Sequence, residues 1–368
     1  MTVLSGLRVV AGDRVIDNGF VRVEGDRIAE VGTSHADTRR LTAVPGFVDI
    51  HVHGGGGATF TTGEADAARA VVAFHAGHGT TTMLASLVTA PHELLLAATK
   101  TFAPLVDEGM LAGVHYEGPY LSLARCGAQN PAFLRDPDLA ELDALLDAGD
   151  GTVRLVTIAP ELPGAIDAIR LLVERGVVAA VGHTDATYEE TMAAVDAGAT
   201  VGTHVFNGMR PPHHRQPGPV FALLGAPSVT CELVADGVHL HDGTLHFAAT
   251  VKGASRAALV TDAMAAAGMP DGEYDLGGQS VAVAGGVARL TRDGAIAGST
   301  LTMDAAFRRA VHSGLSLADA SRMASGTPAA AIGLAGEVGA LLPGRRADLV
   351  LLDENLAVEK VMRGGRWI

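Results

Sequence analysis

The sequence predicts a closed (β/α)8, TIM-like barrel carrying a small β-sandwich built from both chain ends. Three observations carry that expectation. Through the middle of the chain, eight apolar runs alternate with helical stretches. Five of those runs end in a residue able to ligate a metal or move a proton. Both ends of the chain consist instead of short strands.

Taking the elements in order, Gly6-Leu-Arg-Val-Val, Gly19-Phe-Val-Arg-Val-Glu and Arg27-Ile-Ala-Glu-Val-Gly read as strands separated by Gly-Asp turns. The C-terminus returns to this style in Ala347-Asp-Leu-Val-Leu-Leu-Asp and Val358-Glu-Lys-Val-Met-Arg. Neither end makes a domain alone. Residues 1–44 and 338–368 together are expected to form the sandwich, with the barrel, 45–337, inserted between them. A further strand-rich piece, 272–291, is expected to join or cap the sandwich. The barrel strands are expected at 46–53, 79–84, 111–117, 153–158, 177–183, 199–204, 228–234 and 257–262. Helices are expected at 64–78, 91–108, 139–148, 164–175 and 187–197, with others after residue 301. Such alternation implies a parallel sheet, and eight units imply closure.

Composition agrees. The chain has 368 residues, enough for a barrel and an accessory piece, and 48% of them are hydrophobic. Aromatics are only 4%, so Ala, Val, Leu and 46 glycines do the packing. The formal charge is 27 − 41 = −14 with no basic tract, which argues against a nucleic-acid partner. An anionic substrate therefore needs a local basic site. Cys126 and Cys231 give no disulfide framework, and Cys231, inside an apolar run, reads as a buried thiol. No signal peptide and no apolar run of membrane-span length is present, so a soluble cytoplasmic protein without a membrane partner is expected.

The chemistry is concentrated at strand ends. In Val44-Pro-Gly-Phe-Val-Asp-Ile-His-Val-His, His51 and His53 lie two apart on a strand and share a face. Two imidazoles converging from a strand end suit a divalent transition metal. Glu117, His183, His204 and Asp262 close four other runs. Polar residues at the C-terminal ends of several strands are how a barrel builds an active site.

These residues resemble the amidohydrolase superfamily, and within it the branch that deacetylates N-acetylglucosamine 6-phosphate. The narrower likeness rests on Tyr116-Glu-Gly-Pro-Tyr, Val181-Gly-His-Thr, Thr203-His-Val-Phe-Asn-Gly-Met, Val234-Ala-Asp-Gly-Val-His, Val260-Thr-Asp-Ala-Met and Ala297-Gly-Ser-Thr-Leu-Thr-Met, all in order. The resemblance implies attack of a metal-bound hydroxide on the acetyl carbonyl. It implies Glu117, His183 and His204 as principal metal ligands, and Asp262 as general base and acid. His51 and His53 match a second metal position that only some members keep, so one or two ions per chain, expected to be zinc, are implied. Arg215 and His239 match phosphate-binding positions, and Asn207 and Gly208 match contacts to sugar or phosphate. Ala128 and Gln129 fall where the family usually has Gly-(Ala/Thr)-His. Gln129 thus replaces a histidine that reaches the substrate carbonyl, and its amide is expected to donate there from a mobile lid at 122–135. A homodimer in amino-sugar catabolism or cell-wall recycling is implied. The alternatives are an amidohydrolase acting on another N-acyl amino sugar or an N-acyl amino acid, and a catalytically inactive barrel used for binding. The Arg215–His239 pair argues against the first, since a phosphate-free substrate has no need of it. The intact ligand set argues against the second.

Overall fold

All eight expected barrel strands form, in a computed structural model that describes residues 1–36 and 40–368. They are Phe47–Asp49, Thr80–Val88, Gly113–Glu117, Val153–Ile158, Val178–Val181, Val201–Gly202, Thr230–Val234 and Ala257–Val260, hydrogen-bonded side by side in sequence order and parallel throughout. Several stop earlier than the apolar runs suggest. The reason is local: His183, His204 and Asp262 have φ of 45°, 28° and 50°, in the left-handed region that ends an extended strand. His51, His53, His183, His204 and Asp262 therefore stand just past the regular strands, on the C-terminal rim.

The first and eighth strands share no ladder. Their seam is closed immediately above them. The Asp262 N–H donates to the His51 carbonyl at 2.8 Å, and the His53 N–H donates to the Ala263 carbonyl at 2.8 Å. Below these, the Thr261 hydroxyl donates to Asp49 Oδ2 at 2.5 Å. Burial pushes the Asp49 carboxyl up to about 7, against the hydrogen bonds from Thr261 and His51.

Helices Ala65–Gly77, His92–Asp107, Leu139–Gly149, Ala165–Glu174 and Tyr188–Asp196 fall within a residue of the expected stretches. Asp138 caps the third by accepting from the Ala140 and Glu141 N–H groups, and Thr187 with Glu190 forms a capping box on the fifth. Gly218–Gly225, Asp242–Lys252 and Met303–His312 complete the outer ring. Buried Leu84, Val114, Val156, Val181, Leu233 and Leu259 belong to the shared core. Each such side chain contributes roughly 1.5–3 kcal/mol on leaving water.

Strands from both chain ends share one seven-stranded sheet. Its apolar cluster joins Leu7, Val9, Val21 and Ile28 to Leu341, Leu349 and Met362, so neither end has a core without the other. At the junction with the barrel, a Cβ on Gly46 would lie 2.2 Å from Thr81 Oγ1, so only glycine fits. Arg346 bridges the same junction, bonded to Asp348 and, at 2.8 Å, to Thr82 Oγ1. We propose 1–44 with 338–368 as the accessory unit and 45–337 as the barrel unit.

The piece expected to join or cap the sandwich does not pair with that sheet. Gly272–Leu276, Gln279–Ala284 and Val287–Leu290 form an antiparallel sheet of their own. The chain leaves the eighth barrel strand at the C-terminal rim and so emerges over the barrel mouth. There the alternation of Gln279–Ala284 buries Val281 and Val283 while exposing their neighbours, and the apolar face packs on Val88, Met264 and Ala266.

Asp49→Ala tests the seam. It strands the buried Thr261 hydroxyl, and one orphaned buried group costs ~1–3 kcal/mol. Thermal unfolding of the variant is expected several degrees below the wild type; an unchanged midpoint would show that the seam does not depend on Asp49.

Candidate active site

Four imidazoles surround one carboxylate at the barrel mouth. Each ring gives its Nδ1 to an acceptor: His51 to Glu232 Oε2 at 3.0 Å, and His53 to the Ser86 carbonyl at 3.0 Å. His183 gives its Nδ1 to the Arg125 carbonyl at 2.8 Å, and His204 to the Asn207 carbonyl at 3.1 Å. Acceptors at Nδ1 assign the proton there, which turns all four Nε2 lone pairs inward. Those atoms crowd together, with His51 to His53 at 3.1 Å and His183 to His204 at 3.2 Å. Glu117 Oε1 lies 2.9 Å from both His183 and His204 and 3.5 Å from His51, while Oε2 lies 3.2 Å from His53. Asp262 Oδ1 completes the ring, 3.4 Å from His53 Nε2 and 3.6 Å from His51 Nε2.

Lone pairs facing one another at such distances repel unless a cation sits among them. The donor atoms fall into two overlapping groups, His51–His53–Asp262 and His51–Glu117–His204, each compact enough to hold an ion. Imidazole nitrogens with carboxylate oxygens suit a divalent transition metal, and Glu117 turns Oε1 towards His183, His204 and His51 and Oε2 towards His53. The electrostatics agree. Burial alone would lower His53, yet the adjoining Asp262 and Glu117 carboxylates raise it to about 9, favouring positive charge at its Nε2. His51 and His183 are raised against burial by the Glu117 charge. Burial works against ionisation of Glu117 as well, but the surrounding histidines hold it well below the ordinary carboxylate range. The cluster is built to contain positive charge.

Local backbone features place each group. Left-handed backbone at His183, His204 and Asp262 swings their side chains over the mouth. Gly208, itself at φ 59°, lies flat against the His183 ring, where a Cβ would come within 2.8 Å of Nδ1. Below the ligands, fully buried His115 bonds Ser86 Oγ and Thr157 Oγ1, each at 2.9 Å, and stacks edge-on against His51. Burial holds His115 well below its ordinary value, so it is a neutral filler of the barrel layer under the site.

The cluster forms the floor of a pocket of about 240 Å³. Its wall brings together Ala128, Gln129, Asn207, Gly208, His239 and Asp262, and Val88, Leu276, Ala295 and Ile296 form an apolar roof. Two expected site residues do not line it. His51 lies beneath the floor, wholly buried. Arg215 is exposed on its own loop, bonded to His214 at 2.8 Å. His239 does reach the pocket, its Nδ1 bonded to Asp236 at 2.7 Å and its Nε2 3.9 Å from Asp262 Oδ2.

Gln129 differs from the expected oxyanion donor. Its Nε2 donates to Glu117 Oε2 at 2.5 Å, and its Oε1 accepts from the Thr89 N–H at 2.8 Å. The segment expected to be a mobile lid is likewise anchored. Ser122 N–H donates to the His183 carbonyl at 2.9 Å, and Arg125 pairs with Asp185 at 2.8 Å. Arg292 donates to the Gly127 carbonyl at 3.0 Å. Sequence reasoning also missed Glu232, Asp236 and Ser86. A signal for Glu232 was present: an acid inside the apolar run Ser-Val-Thr-Cys-Glu-Leu-Val must face a polar partner.

A parallel eight-stranded barrel with histidines and carboxylates converging at its C-terminal rim defines a metal-dependent hydrolase of the amidohydrolase type. The amidohydrolase family profile matches residues 42–368, and the chain belongs to that family. A divalent metal goes with the family, and the donor set described here fits one. Among curated relatives, N-acetylgalactosamine-6-phosphate deacetylase of Escherichia coli O157:H7 is 38% identical, over 99% of this chain and 98% of its own. N-acetylglucosamine-6-phosphate deacetylase of Lysinibacillus sphaericus is also 38% identical, over 88% and 84%. Among solved structures, an aspartate-to-alanine variant of N-acetyl-D-glucosamine-6-phosphate deacetylase from Mycobacterium smegmatis, in complex with N-acetyl-D-glucosamine-6-phosphate, superposes with a TM-score of 0.96 at 48% identity. The match covers 100% of this chain and 98% of that one.

Gly208→Ala tests the packing behind His183. The added methyl must displace the ring or the backbone, so metal retention after dialysis is expected to fall while the circular dichroism spectrum stays native. Retention equal to wild type would show that His183 tolerates the displacement.

Proposed function

We propose that the protein deacetylates N-acetylglucosamine 6-phosphate in a metal-dependent hydrolysis, yielding glucosamine 6-phosphate and acetate. The observation that carries the reading is the convergence of four Nε2 atoms on Glu117 with Asp262 at their edge, on the floor of a substrate-sized pocket. Glu117, His183 and His204 are the proposed ligands of one ion, and His51 and His53 of a second, with Glu117 shared. The proposed metal is zinc. When bound, such an ion lowers the pKa of water toward neutrality and polarises a carbonyl.

The remaining work falls to the protein's own groups. Asp262 is favoured in its ionised form, since positive charge gathered beside it at His53 and His51 outweighs its burial. In that form it takes a proton from the attacking water and returns it to the departing amine nitrogen, which otherwise leaves poorly. His239, beside Asp262 and lining the pocket, is placed to bind the sugar phosphate or a neighbouring hydroxyl, and Asn207 and Gly208 lie along the same wall. Val88, Leu276, Ala295 and Ile296 offer the bound substrate an apolar surface opposite the histidines.

Arg215 stands outside its own pocket, and we read it as serving the site of a second copy. Exposed Phe221, Phe247 and Val251, on helices Gly218–Gly225 and Asp242–Lys252 beside that loop, offer an apolar face for a homodimer. A second reading of the sugar has a specific basis: the Escherichia coli relative and one from Shewanella are named for N-acetylgalactosamine 6-phosphate. That substrate differs only in the configuration of one hydroxyl, and its hydrolysis uses the same groups.

Acetate release from the two 6-phosphates, beside unphosphorylated N-acetylglucosamine, tests the reading on metal-loaded protein. Preference for a phosphorylated sugar is expected, and which epimer gives the higher kcat/KM decides between the two. No release from either would sink it. Asp262→Asn is expected to lower kcat by ~10²–10⁴ while substrate still binds, the range for general acid–base groups. Near wild-type turnover with metal content intact would remove Asp262 from the chemistry. Arg215→Ala is expected to raise KM for the phosphorylated sugar far more than for the unphosphorylated one. Equal losses would count against a phosphate role, and a monomer by sedimentation would dispose of the shared pocket.

A further inference from the structure

We propose that Glu232 is the positioning residue that makes the inner metal site, at His51 and His53, able to hold its ion. The proposal rests on the metal-dependent reading above. Glu232 lies in the seventh barrel strand, Thr230–Val234, between Cys231 and Leu233, and is completely buried. It does not line the substrate pocket. One of its oxygens is fully employed: Oε2 accepts from His51 Nδ1 at 3.0 Å and from the backbone N–H of His204 at 3.2 Å. The other, Oε1, is buried with no hydrogen-bond partner.

Two comparisons within the site give this arrangement its meaning. His53, His183 and His204 rest their Nδ1 on neutral backbone carbonyls, whereas His51 rests its Nδ1 on a carboxylate. A hydrogen bond to an ionised acceptor is the stronger kind, and a carboxylate behind an imidazole makes the far nitrogen a better ligand. The acceptor also fixes the ring in the tautomer whose Nε2 lone pair faces His53. His51 is the one ligand of the set that the pocket does not reach, so no substrate group can orient it. Its orientation must come from behind.

The second comparison is with the ordinary occupant of such a position. Core positions of a barrel strand are filled by branched apolar side chains. A carboxylate there, with one oxygen unpartnered, is unfavourable on its own account. It becomes favourable when positive charge stands on the far side of His51, relayed through the ring. The same oxygen that holds His51 also holds the His204 backbone where that chain turns at φ 28°. Glu232 thus sets the spacing between a ligand of each proposed ion.

Glu232→Gln tests this, because the amide keeps the shape and an acceptor oxygen but loses the charge. The readout is metal binding, not turnover. Zinc-free protein is titrated with zinc against a chelating indicator, and the stepwise affinities and the stoichiometry by elemental analysis are compared with the wild type. Wild-type protein is expected to take two equivalents. Glu232→Gln is expected to weaken one equivalent about 10–100-fold, the usual effect of losing such a supporting partner, and to leave the other unchanged. His51→Asn is the reference for loss of the inner site, and Glu232→Gln added to it is expected to change nothing further. Two equivalents bound as in the wild type would overturn the proposal. So would an equal weakening of both with a lowered melting temperature, which would make Glu232 a support of the His204 turn alone, and so would a wild-type plateau at one equivalent. Selective weakening in a protein that releases no acetate would leave Glu232 in this role and refute the deacetylase reading instead.

Discussion

Glu117 sets the condition that the rest of the site must satisfy. A carboxylate is held out of water with four imidazole nitrogens aimed at it from four sides. Once each ring's Nδ1 is bonded outward, neutral imidazoles have no proton for Glu117, and the Gln129 amide gives it a hydrogen bond but no opposite charge. A buried charge needs an opposite charge close by, and here the space for one is enclosed by the donors themselves. The Nδ1 partners, three backbone carbonyls and Glu232, are therefore as necessary as the ligands. They decide which way every lone pair points.

Such a cluster asks for rigid walls, and the barrel supplies them. The ligands come from strands far apart in sequence, and closure makes them neighbours. The seam falls where His51 meets Asp262: the Asp262 N–H bonded to the His51 carbonyl ties the strand of two proposed metal ligands to the strand of the proposed proton shuttle. Left-handed backbone at His183, His204 and Asp262 is tolerable only because the surrounding bonds over-determine it. The His183 carbonyl accepts from Ser122, the Thr184 N–H donates to the Gly208 carbonyl, and Asp262 is bonded on both sides of its peptide, to His51 and Ser299.

What could be read from the sequence was whatever depends on near neighbours. The eight strands and the first five helices follow from apolar runs and their spacing, and the clustered histidines and carboxylates follow from being the last polar residue of such a run. The three-stranded piece at 272–290 was legible as strands but not in its place, because which surface an alternating strand covers depends on where the barrel releases the chain. Glu232 stood out as an acid inside an apolar run, but its partner was hidden for a related reason. Its partner, His51, is 181 residues away and meets it only across the closed barrel. Arg215 shows the limit from the other side: its motif is clear, yet its side chain points away from the pocket of its own chain.

Gln129 is where local chemistry and long-range geometry meet most closely. Its place in the sequence suggests a donor to substrate, replacing a histidine. Its place in the structure binds it at both ends, to the Thr89 backbone and to Glu117. An amide suits this place because its acceptor and donor are fixed and carry no charge, whatever the pH. The consequence reaches along the chain. Arg125 gives its carbonyl to His183, and Gln129 gives its amide to Glu117, so the segment that walls the pocket also orients two of the proposed metal ligands. A movement of that wall would therefore disturb His183 and Glu117 with it.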